Sequence, residues 1–339
     1  MPRKLAIALA ILAATLVLAA CGEKSEPSVS DPGGEPDSFQ LALDFFINPD
    51  HVGIYTALAN GYFADAGLEV EPIVPSDPAA PIKQVAAGRV DLAISYEPEV
   101  ILARDQGLDV VAVAALVQEP LSSLISLPDA GIADPEDLEG KTVVTAGIPY
   151  QTAYLETILN DAGVDPDDVE QVDVGLNLLQ PVLSGRADAM FGGFRNVEGV
   201  QLQREGKNPR IVPVDQLGIP TYDELVLVAK ESLVREDPEA IRLFIAALER
   251  GTEAAQENPE AATEALVDAS EELDPKLTLA QVRETLPLLS PPRGRPYGYI
   301  NEGEWITFSG FLADQGQTER RIPTGELLTN ELLPGEIPE

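Results

Sequence analysis

The 339-residue sequence has few basic residues: 22 lysines and arginines stand against 57 aspartates and glutamates, a formal net charge of −35. The acids are spread along the whole chain, which is typical of a solvated acidic surface. Binding to nucleic acid requires clustered lysines and arginines that neutralise phosphates, so we predict no nucleic-acid partner. The acidic excess is equally typical of a saline habitat and of a GC-rich genome.

Cysteine and histidine occur once each, as Cys21 and His51. A single cysteine excludes a disulfide within the chain. These two residues are the only soft metal ligands, and Cys21 has another predicted role, so we predict neither a metal site nor a cofactor. The sequence shows no Ser-His-Asp set, phosphate-cradling glycine loop or zinc motif, and we predict that the protein is not an enzyme.

Residues 1–21 have the layout of a secretory signal peptide. Arg3 and Lys4 precede an almost unbroken apolar run, which is shorter than the ~20 residues that a membrane-spanning helix needs. The tetrapeptide that ends at Cys21 resembles a bacterial lipobox. This implies that Cys21 is lipidated and anchors the protein to the outer face of the cytoplasmic membrane; a buried free thiol is the alternative. Residues 22–38 are rich in proline, glycine and serine, which predicts a flexible tether.

From residue 40 to about 230, apolar segments of strand length alternate with segments of helical periodicity. This alternation predicts an α/β architecture with parallel sheets. From 231 to 315 the pattern is mainly helical. The predicted strands cover 40–46, 68–74, 90–95, 109–116, 122–127, 141–146, 170–174, 188–194, 210–214 and 223–229, and the predicted helices before residue 231 cover 50–60, 79–87, 97–106, 150–161, 177–184 and 196–205.

Two short segments, 85–94 and 182–191, resemble each other. In each, a helix pattern ends at a glycine, Gly88 or Gly185, and an apolar strand then follows an aspartate. We interpret the repeat as the sign of two similar α/β lobes. The two strands would then end at a cleft between the lobes, at Ser95-Tyr96-Glu97 in one lobe and at Gly192-Gly193-Phe194-Arg195 in the other.

Residues 41–63 predict a strand, a polar-aromatic turn and a helix. Asn48 is the predicted N-cap and Pro49 the first helical residue, where a missing N–H group costs nothing. In open α/β folds such a turn lies at the carboxyl end of a strand, where ligands bind. His51 lies in this turn, and its three possible roles are to bind ligand, to cap the turn or to pack in the core.

The segment from Leu43 to Tyr55, followed by Gly61-Tyr62-Phe63, resembles the opening of the thiamine-precursor binding proteins. These are extracytoplasmic solute-binding lipoproteins of bacterial ABC importers, related in fold to the fungal pyrimidine synthases of thiamine biosynthesis. Further matches follow in the family's order over roughly residues 40 to 315: 95–99, 140–143, 147–150, 192–199 and 220–225.

The resemblance implies a type II periplasmic-binding-protein fold, in which two α/β lobes close on a ligand. Lobe one would take residues 39–125 and 222–330, and lobe two would take 126–221, with crossing segments at 122–127 and 223–230. The resemblance also implies a monomer that delivers a small solute to an ABC permease and its ATPase. The implied solute is a planar heteroaromatic molecule such as hydroxymethylpyrimidine or formylaminopyrimidine.

The predicted ligand site combines flat aromatic faces with a few polar groups. Glu198 is the predicted pairing carboxylate, because a carboxylate can pair with a ring nitrogen and the amine beside it; an exposed acid in the first turn of a helix is the alternative. Core packing is the alternative for each aromatic residue. The predicted site residues are Asp44, Phe45, Asn48, His51, Tyr96, Glu97, Gly147, Tyr150, Gly193, Phe194, Arg195, Asn196, Glu198, Tyr222 and Asp223.

Two positions depart from the family pattern, because Phe45 and Arg195 stand where the family commonly has Trp. A site that lacks these two tryptophans and carries an arginine instead of one of them would favour a ligand ring that is anionic or rich in hydrogen-bond acceptors. Arg195 would then meet an anionic ligand group, or pair with a nearby acid. The alternative solutes are riboflavin precursors, nitrate and sulfonates. A pyrimidine synthase and an exported sensor are the other functional classes, although the cysteine-rich iron motif of the synthases is missing from this sequence.

Overall fold

The computed structural model describes residues 37–335. The predicted signal peptide, the predicted lipidation site at Cys21 and residues 22–36 of the predicted tether lie outside the described residues. Within the described part, no helix is both long and apolar enough to cross a membrane.

Each of the ten segments predicted as strands overlaps an observed strand, although the first strand begins at Asp37 and ends at Ala42, four residues before its predicted end at 46. Several strands are almost wholly apolar, as expected where both faces of a sheet are covered; Leu92–Ser95 and Val110–Val117, for example, are buried at every position. The strands are β1 (Asp37–Ala42), β2 (Leu68–Ile73), β3 (Leu92–Ser95), β4 (Val110–Val117), β5 (Ser122–Ser126), β6 (Thr142–Thr145), β7 (Glu170–Asp173), β8 (Ala189–Phe194), β9 (Arg210–Pro213) and β10 (Leu225–Lys230).

The strands form two five-stranded sheets, ordered β2-β1-β3-β10-β4 and β7-β6-β8-β5-β9. The prediction of parallel sheets is wrong for one strand in each sheet. β10 runs antiparallel to β3 and β4, and β5 runs antiparallel to β8 and β9. Both strands follow directly after the chain passes from one sheet to the other. Each of these two strands therefore begins at the end of its sheet where the carboxyl ends of the other strands lie, and it runs in the opposite direction.

The chain passes between the sheets at 118–121 and 214–224, between β4 and β5 and between β9 and β10. The predicted crossing segments at 122–127 and 223–230 instead coincide largely with β5 and β10. The predicted limit of lobe one at residue 125 falls inside β5, which pairs with strands of the second sheet. An apolar strand pattern alone does not tell which of two sheets the strand joins, and the remaining lobe boundaries stay predictions.

The helices lie between the strands and, after β10, follow one another as predicted for 231–315. Three of the late helices begin at an Asp-Pro or Asn-Pro pair, where the first side chain caps the helix and proline takes the first helical position. The helices are α1 (Val52–Ala59), α2 (Tyr62–Asp65), α3 (Pro81–Ala86), α4 (Glu97–Asp105), α5 (Pro149–Asp161), α6 (Leu179–Leu183), α7 (Glu198–Arg204), α8 (Glu231–Glu236), α9 (Pro238–Glu257), α10 (Pro259–Ala269), α11 (Pro275–Thr285), α12 (Glu302–Asp314) and α13 (Thr324–Leu327).

The internal repeat occupies equivalent places in the two sheets, since β3 and β8 are each the third strand of five. Gly88 and Gly185 both take left-handed backbone conformations, with φ of 65° and 69°. The aspartate that follows also plays the same part twice: Asp91 Oδ2 accepts from the Gln40 N–H at 2.7 Å, and Asp188 Oδ2 accepts from the Thr142 N–H at 2.9 Å. The structure thus confirms the prediction of two similar α/β lobes.

Candidate ligand-binding cleft

A narrow cleft with a cavity volume of about 20 Å³ lies where strands of the two sheets end. This is room for about one water molecule, so a ring-sized ligand requires the two walls to move apart. One wall follows β1 and β3, and the other follows β6 and β8. The lining residues are Asp44, Phe45, Phe46, Asn48, Tyr96, Ala146, Ile148, Gln151, Leu178, Gly192, Phe194, Val197 and Glu198.

On the first wall, Asp44 is held by hydrogen bonds to both of its carboxylate oxygens. Tyr96 donates its hydroxyl to Asp44 Oδ2 at 2.9 Å, and His51 Nε2 lies 2.8 Å from Asp44 Oδ1. The Asn48 N–H donates to His51 Nδ1 at 3.3 Å, so the imidazole proton is on Nε2, which donates to Asp44. His51 is fully buried and does not line the cleft. Of its three predicted roles, the structure shows packing and capping.

The turn after β1 is organised by Asn48, and here the predicted N-cap is confirmed. Its side-chain oxygen accepts from the Asp50 N–H at 2.8 Å, and Pro49 follows as the first helical residue. A short 3-10 helix, Pro49–His51, precedes α1. This capped start orders the turn that carries Phe45 and Phe46 into the cleft.

On the second wall, Glu198 is the first residue of α7 and is 8% exposed. Its Oε2 accepts from the Phe194 N–H at 2.8 Å, whereas Oε1 makes no hydrogen bond to another described residue. Burial raises the pKa of Glu198, and the Phe194 N–H opposes that rise. The structure therefore places a partly desolvated carboxyl group with a free oxygen beside the cleft.

Gly192 allows the second wall to pack closely. Its φ is 86°, a conformation that favours glycine, and a Cβ atom there would overlap the amide of Gln151. Gln151 in turn accepts from the Ala146 N–H at 3.0 Å. This contact aligns the ends of β6 and β8 beside the cleft.

Three of the five aromatic residues predicted for the site line the cleft, namely Phe45, Tyr96 and Phe194. The other two lie deeper. Tyr150 packs behind Tyr96, with ring centroids 5.5 Å apart, and Tyr222 packs on Phe308 at 5.1 Å.

Glu97 and Asp223, also predicted as site residues, lie behind the cleft, where the chain passes between the sheets. Glu97 Oε2 accepts from the Asp223 N–H at 2.8 Å, and Asp223 Oδ2 accepts from the Trp305 indole at 2.6 Å. Burial raises the pKa of Asp223 to about 7 and holds that of Glu97 well above its ordinary range.

The adjacent acid, Glu224, was not predicted and joins the two passing segments. Its carboxylate accepts from the N–H groups of Leu121 and Ser122 at 2.7 and 2.8 Å and from the hydroxyl groups of Ser122 and Tyr222 at 2.8 and 3.1 Å. Tyr222 and Asp223 were predicted as site residues, so the sequence did mark this segment. The sequence did not show which of its side chains would bind the other passing segment.

Three further predicted residues lie outside the cleft lining. Arg195 extends to Glu119, with 3.1 Å between Nη2 and Oε1, and to the carbonyl of Pro120. Of its two predicted roles, the structure thus shows the pairing with an acid. Gly147 lies against Asp173, and Gly193 lies against Met190.

Asn196 does not line the cleft but joins segments on its two sides. Its amide donates to Asp50 Oδ1 at 2.7 Å and to the Thr285 hydroxyl at 2.8 Å. All three residues are at most 5% exposed, and Asp50 Oδ2 and Asn196 Oδ1 have no hydrogen-bond partner. Burial raises the pKa of Asp50 to about 8. We call Asp50, Asn196 and Thr285 the clasp.

Several lining residues were missed by the sequence prediction. Phe46 is adjacent to the predicted Phe45, with ring centroids 4.6 Å apart, so a turn with two aromatic residues was a usable signal. Ala146, Ile148, Leu178 and Val197 carry no chemical signal in the sequence. They show their role only once the strand ends are brought together.

The charged residues that line the cleft are all acidic. Asp44 and Glu198 are its charged lining residues, and no lysine, arginine or histidine is among the described residues that line it. The cleft therefore presents apolar rings and carboxyl groups to a ligand.

The fold and the cleft together define the class of the protein. Among solved structures, the chain is similar to the alkanesulfonate-binding protein SsuA from Xanthomonas axonopodis pv. citri bound to MOPS, with a TM-score of 0.68, 13% identity and coverage of 88% of this chain and 100% of the other. It is also similar to a Candida albicans protein described as exhibiting the generic periplasmic binding protein structural fold, with a TM-score of 0.64, 16% identity and coverage of 88% and 98%. The chain has the two-lobed α/β fold of the periplasmic binding proteins.

The family follows from sequence similarity. The model of the family described as "NMT1/THI5 like" matches residues 48–262, well over half of the chain. The chain is 37% identical over 291 residues to the formylaminopyrimidine-binding protein of Halalkalibacterium halodurans, covering 86% of this chain and 87% of the relative. It is 36% identical over 260 residues to a putative thiamine biosynthesis protein of Haemophilus influenzae, covering 76% and 82%. The protein belongs to the NMT1/THI5-like family.

Proposed function

We propose that this protein is the extracytoplasmic solute-binding component of an ABC importer and that it binds a thiamine pyrimidine precursor, such as formylaminopyrimidine or hydroxymethylpyrimidine. The observation that carries the proposal is the cleft itself. It combines aromatic side chains on both walls with Glu198, a buried carboxyl group that has a free oxygen.

Glu198 suits an aminopyrimidine because of its protonation. An aminopyrimidine offers a ring nitrogen that accepts and an exocyclic amine that donates. A carboxyl group pairs with both when one proton is shared between acid and ring. Burial raises the pKa of Glu198, which favours sharing a proton with the ring. Phe45 and Phe194 would stack on the ring, at ~0.5–1.5 kcal/mol per aromatic pair beyond area burial.

The relatives support the same ligand class. The protein of Halalkalibacterium halodurans, at 37% identity, carries formylaminopyrimidine binding in its name. The proposal extends that ligand to this chain, because Glu198 and the aromatic cleft residues supply the chemistry that such a ring requires.

Sulfonate and nitrate are weaker candidates as ligands. Anions call for basic groups or free N–H donors, and the described residues that line the cleft include no basic side chain. Arg195, the predicted source of positive charge, is paired with Glu119.

Pyrimidine synthesis is the second candidate function, favoured by relatives of lower identity. A 4-amino-5-hydroxymethyl-2-methylpyrimidine phosphate synthase of Legionella pneumophila is 27% identical over 298 residues, covering 87% of this chain and 92% of the relative. The single histidine of this chain, His51, is buried beneath Asp44 rather than exposed in the cleft. We therefore favour binding without catalysis.

The cellular setting is part of the proposal. We infer that the protein is a monomer anchored by lipidated Cys21 outside the cytoplasm, from which it delivers its ligand to a permease with an ATPase. Fractionation tests the anchor: the wild-type protein should be found with membranes, and a Cys21→Ser variant should be released. Retention of the variant in membranes would contradict lipid anchoring.

A thermal-shift panel tests the ligand class. A ligand at one hundred times its Kd stabilises the folded state by ~2.7 kcal/mol, which raises the melting temperature. Formylaminopyrimidine and hydroxymethylpyrimidine should raise it, whereas ethanesulfonate, nitrate and riboflavin should not. A shift with ethanesulfonate alone would replace the proposed ligand with the alternative.

A further inference from the structure

A second, larger cavity lies next to the cleft, with a volume of about 340 Å³. We call it the outer chamber. It shares five lining residues with the cleft, Phe46, Asn48, Leu178, Val197 and Glu198. Its outer wall comes from the loop before α11 and from α11 itself, including Glu272, Asp274 and Gln281. The two cavities therefore share a wall built from these five residues.

The outer chamber has both apolar and polar walls, and its charged lining residues are all acidic. Three carboxyl groups line it, those of Glu198, Glu272 and Asp274, and no lysine, arginine or histidine is among its described lining residues. Asn177, Gln180 and Gln201 add neutral polar groups.

Glu198 lines both the cleft and the outer chamber. It is more than nine-tenths buried, and its Oε1 makes no hydrogen bond to another described residue. A ring held against Glu198 in the cleft has the outer chamber on the other side of this shared wall, so a long substituent that passes Glu198 would enter the outer chamber.

We propose that the outer chamber is a second subsite, which takes a cationic or hydrogen-bond-donating substituent of the ring held in the cleft and rejects an anionic one. This inference rests on the proposed function, since it assumes a pyrimidine in the cleft. It goes beyond that function because it assigns a charge preference to residues of the α11 segment. The physical cause is the field of Glu272 and Asp274, which no basic side chain among the described lining residues balances, whereas Glu198 shares a proton with the ring.

Three ligands with the same pyrimidine ring test the proposal by calorimetry. Hydroxymethylpyrimidine is neutral, its phosphate monoester is anionic, and thiamine carries a permanently cationic thiazolium large enough to reach the outer chamber. Thiamine should bind at least as tightly as the neutral compound at low salt, and its advantage should shrink in 0.5 M NaCl. The phosphate ester should bind at least about tenfold more weakly than the neutral compound, because like charges are brought together.

A matched pair of variants assigns the effect to the outer chamber. Glu272 lines it, whereas the neighbouring Glu271 is exposed and does not. Glu272→Gln should reduce the preference for thiamine over the neutral pyrimidine by about two- to fivefold, the size expected for one exposed charge, and Glu271→Gln should leave it unchanged. Asp274 is left intact because it caps α11 through the N–H groups of Lys276 and Leu277.

The outcomes separate the two proposals. If the neutral pyrimidine binds but thiamine does not, or if the phosphate ester binds as well as the neutral compound, the subsite proposal is wrong and the proposed function stands. Equal effects of Glu272→Gln and Glu271→Gln would also overturn it. If the neutral pyrimidine does not bind, the proposed function fails, and the subsite fails with it.

Discussion

At the scale of single residues, Glu198 differs from the other buried acids behind the cleft because it reaches the ligand space. Asp50 and Glu97 also have a carboxyl oxygen without a partner, but neither residue lines the cleft. The sequence pattern predicted a helix here, and Glu198 is the first residue of that helix, α7, shortly after the central strand of the second sheet. Its role as the pairing carboxylate stays a prediction.

Glu198→Ala should weaken binding of the true ligand by about tenfold to a hundredfold, the range for losing a hydrogen bond to a charged group, ~1.5–3 kcal/mol. Alanine removes both oxygens that pair with the ring nitrogen and the amine. Calorimetry of the variant gives the loss, with Glu264→Ala, at an exposed acid on α10, as the control. An affinity of the Glu198 variant within a factor of two of wild type would show that another group pairs with the ligand.

His51 should orient Asp44 and stabilise the folded protein. His51→Ala removes the hydrogen bonds to Asp44 and Asn48 and leaves a buried cavity, so the free energy of unfolding should fall by ~2–4 kcal/mol. His51→Gln, whose amide can still donate to Asp44, should recover part of the loss. Urea unfolding measures both. Equal stability of the alanine variant and the wild type would contradict this account of the turn.

The residues of the first wall show how much the sequence could predict. Asn48 was predictable as a cap because its chemistry is local. Tyr150 and Tyr222 were not separable from Phe45, because every one of them lies at a predicted strand end or turn assigned to the cleft. What distinguishes them is depth, since Tyr150 and Tyr222 are each 1% exposed and packed on other rings.

At the scale of elements, ten strands could be predicted because apolar runs of strand length are a local signal. Their directions could not, because β5 and β10 reverse direction only as a result of the chain's passage between sheets. Glu224 illustrates the same limit. Three of its four hydrogen bonds join residues about a hundred positions apart, a relation that a single sequence does not show.

The clasp should stabilise the closed arrangement of the cleft. Asn196→Ala leaves buried polar atoms of Asp50 and Thr285 unpaired at a cost of ~1–3 kcal/mol. Ligand should therefore dissociate about five- to a hundredfold faster, although Asn196 does not line the cleft. Stopped-flow dissociation measures this, with Gln203→Ala on the exposed face of α7 as the control. An unchanged dissociation rate in the Asn196 variant would remove the clasp from the binding mechanism.

At the scale of the whole molecule, buried acids should make stability depend on pH. Burial raises the pKa of Asp50 from 3.8 to about 8 and that of Glu99 from 4.5 to about 7. The folded state therefore holds protons that the unfolded chain has released. This contribution to stability is fully present below the unfolded pKa values and is lost as pH rises through the folded ones.

The free energy of unfolding should accordingly fall between pH 5 and pH 8, as measured by urea unfolding at each pH. Asp50→Asn should make this fall smaller, since the amide does not titrate, and Asp268→Asn, at an exposed position, should not change it. Stability that rises over this range in the wild type would contradict the protonated state assigned to the buried acids.

The central claim is that the cleft between the two lobes binds a thiamine pyrimidine precursor. Calorimetric titration of the wild-type protein with formylaminopyrimidine tests it most directly. We expect one site per chain with a Kd below about 10 μM, a binding free energy stronger than ~−7 kcal/mol. The absence of heat and of any melting-temperature shift at high micromolar ligand would contradict the claim.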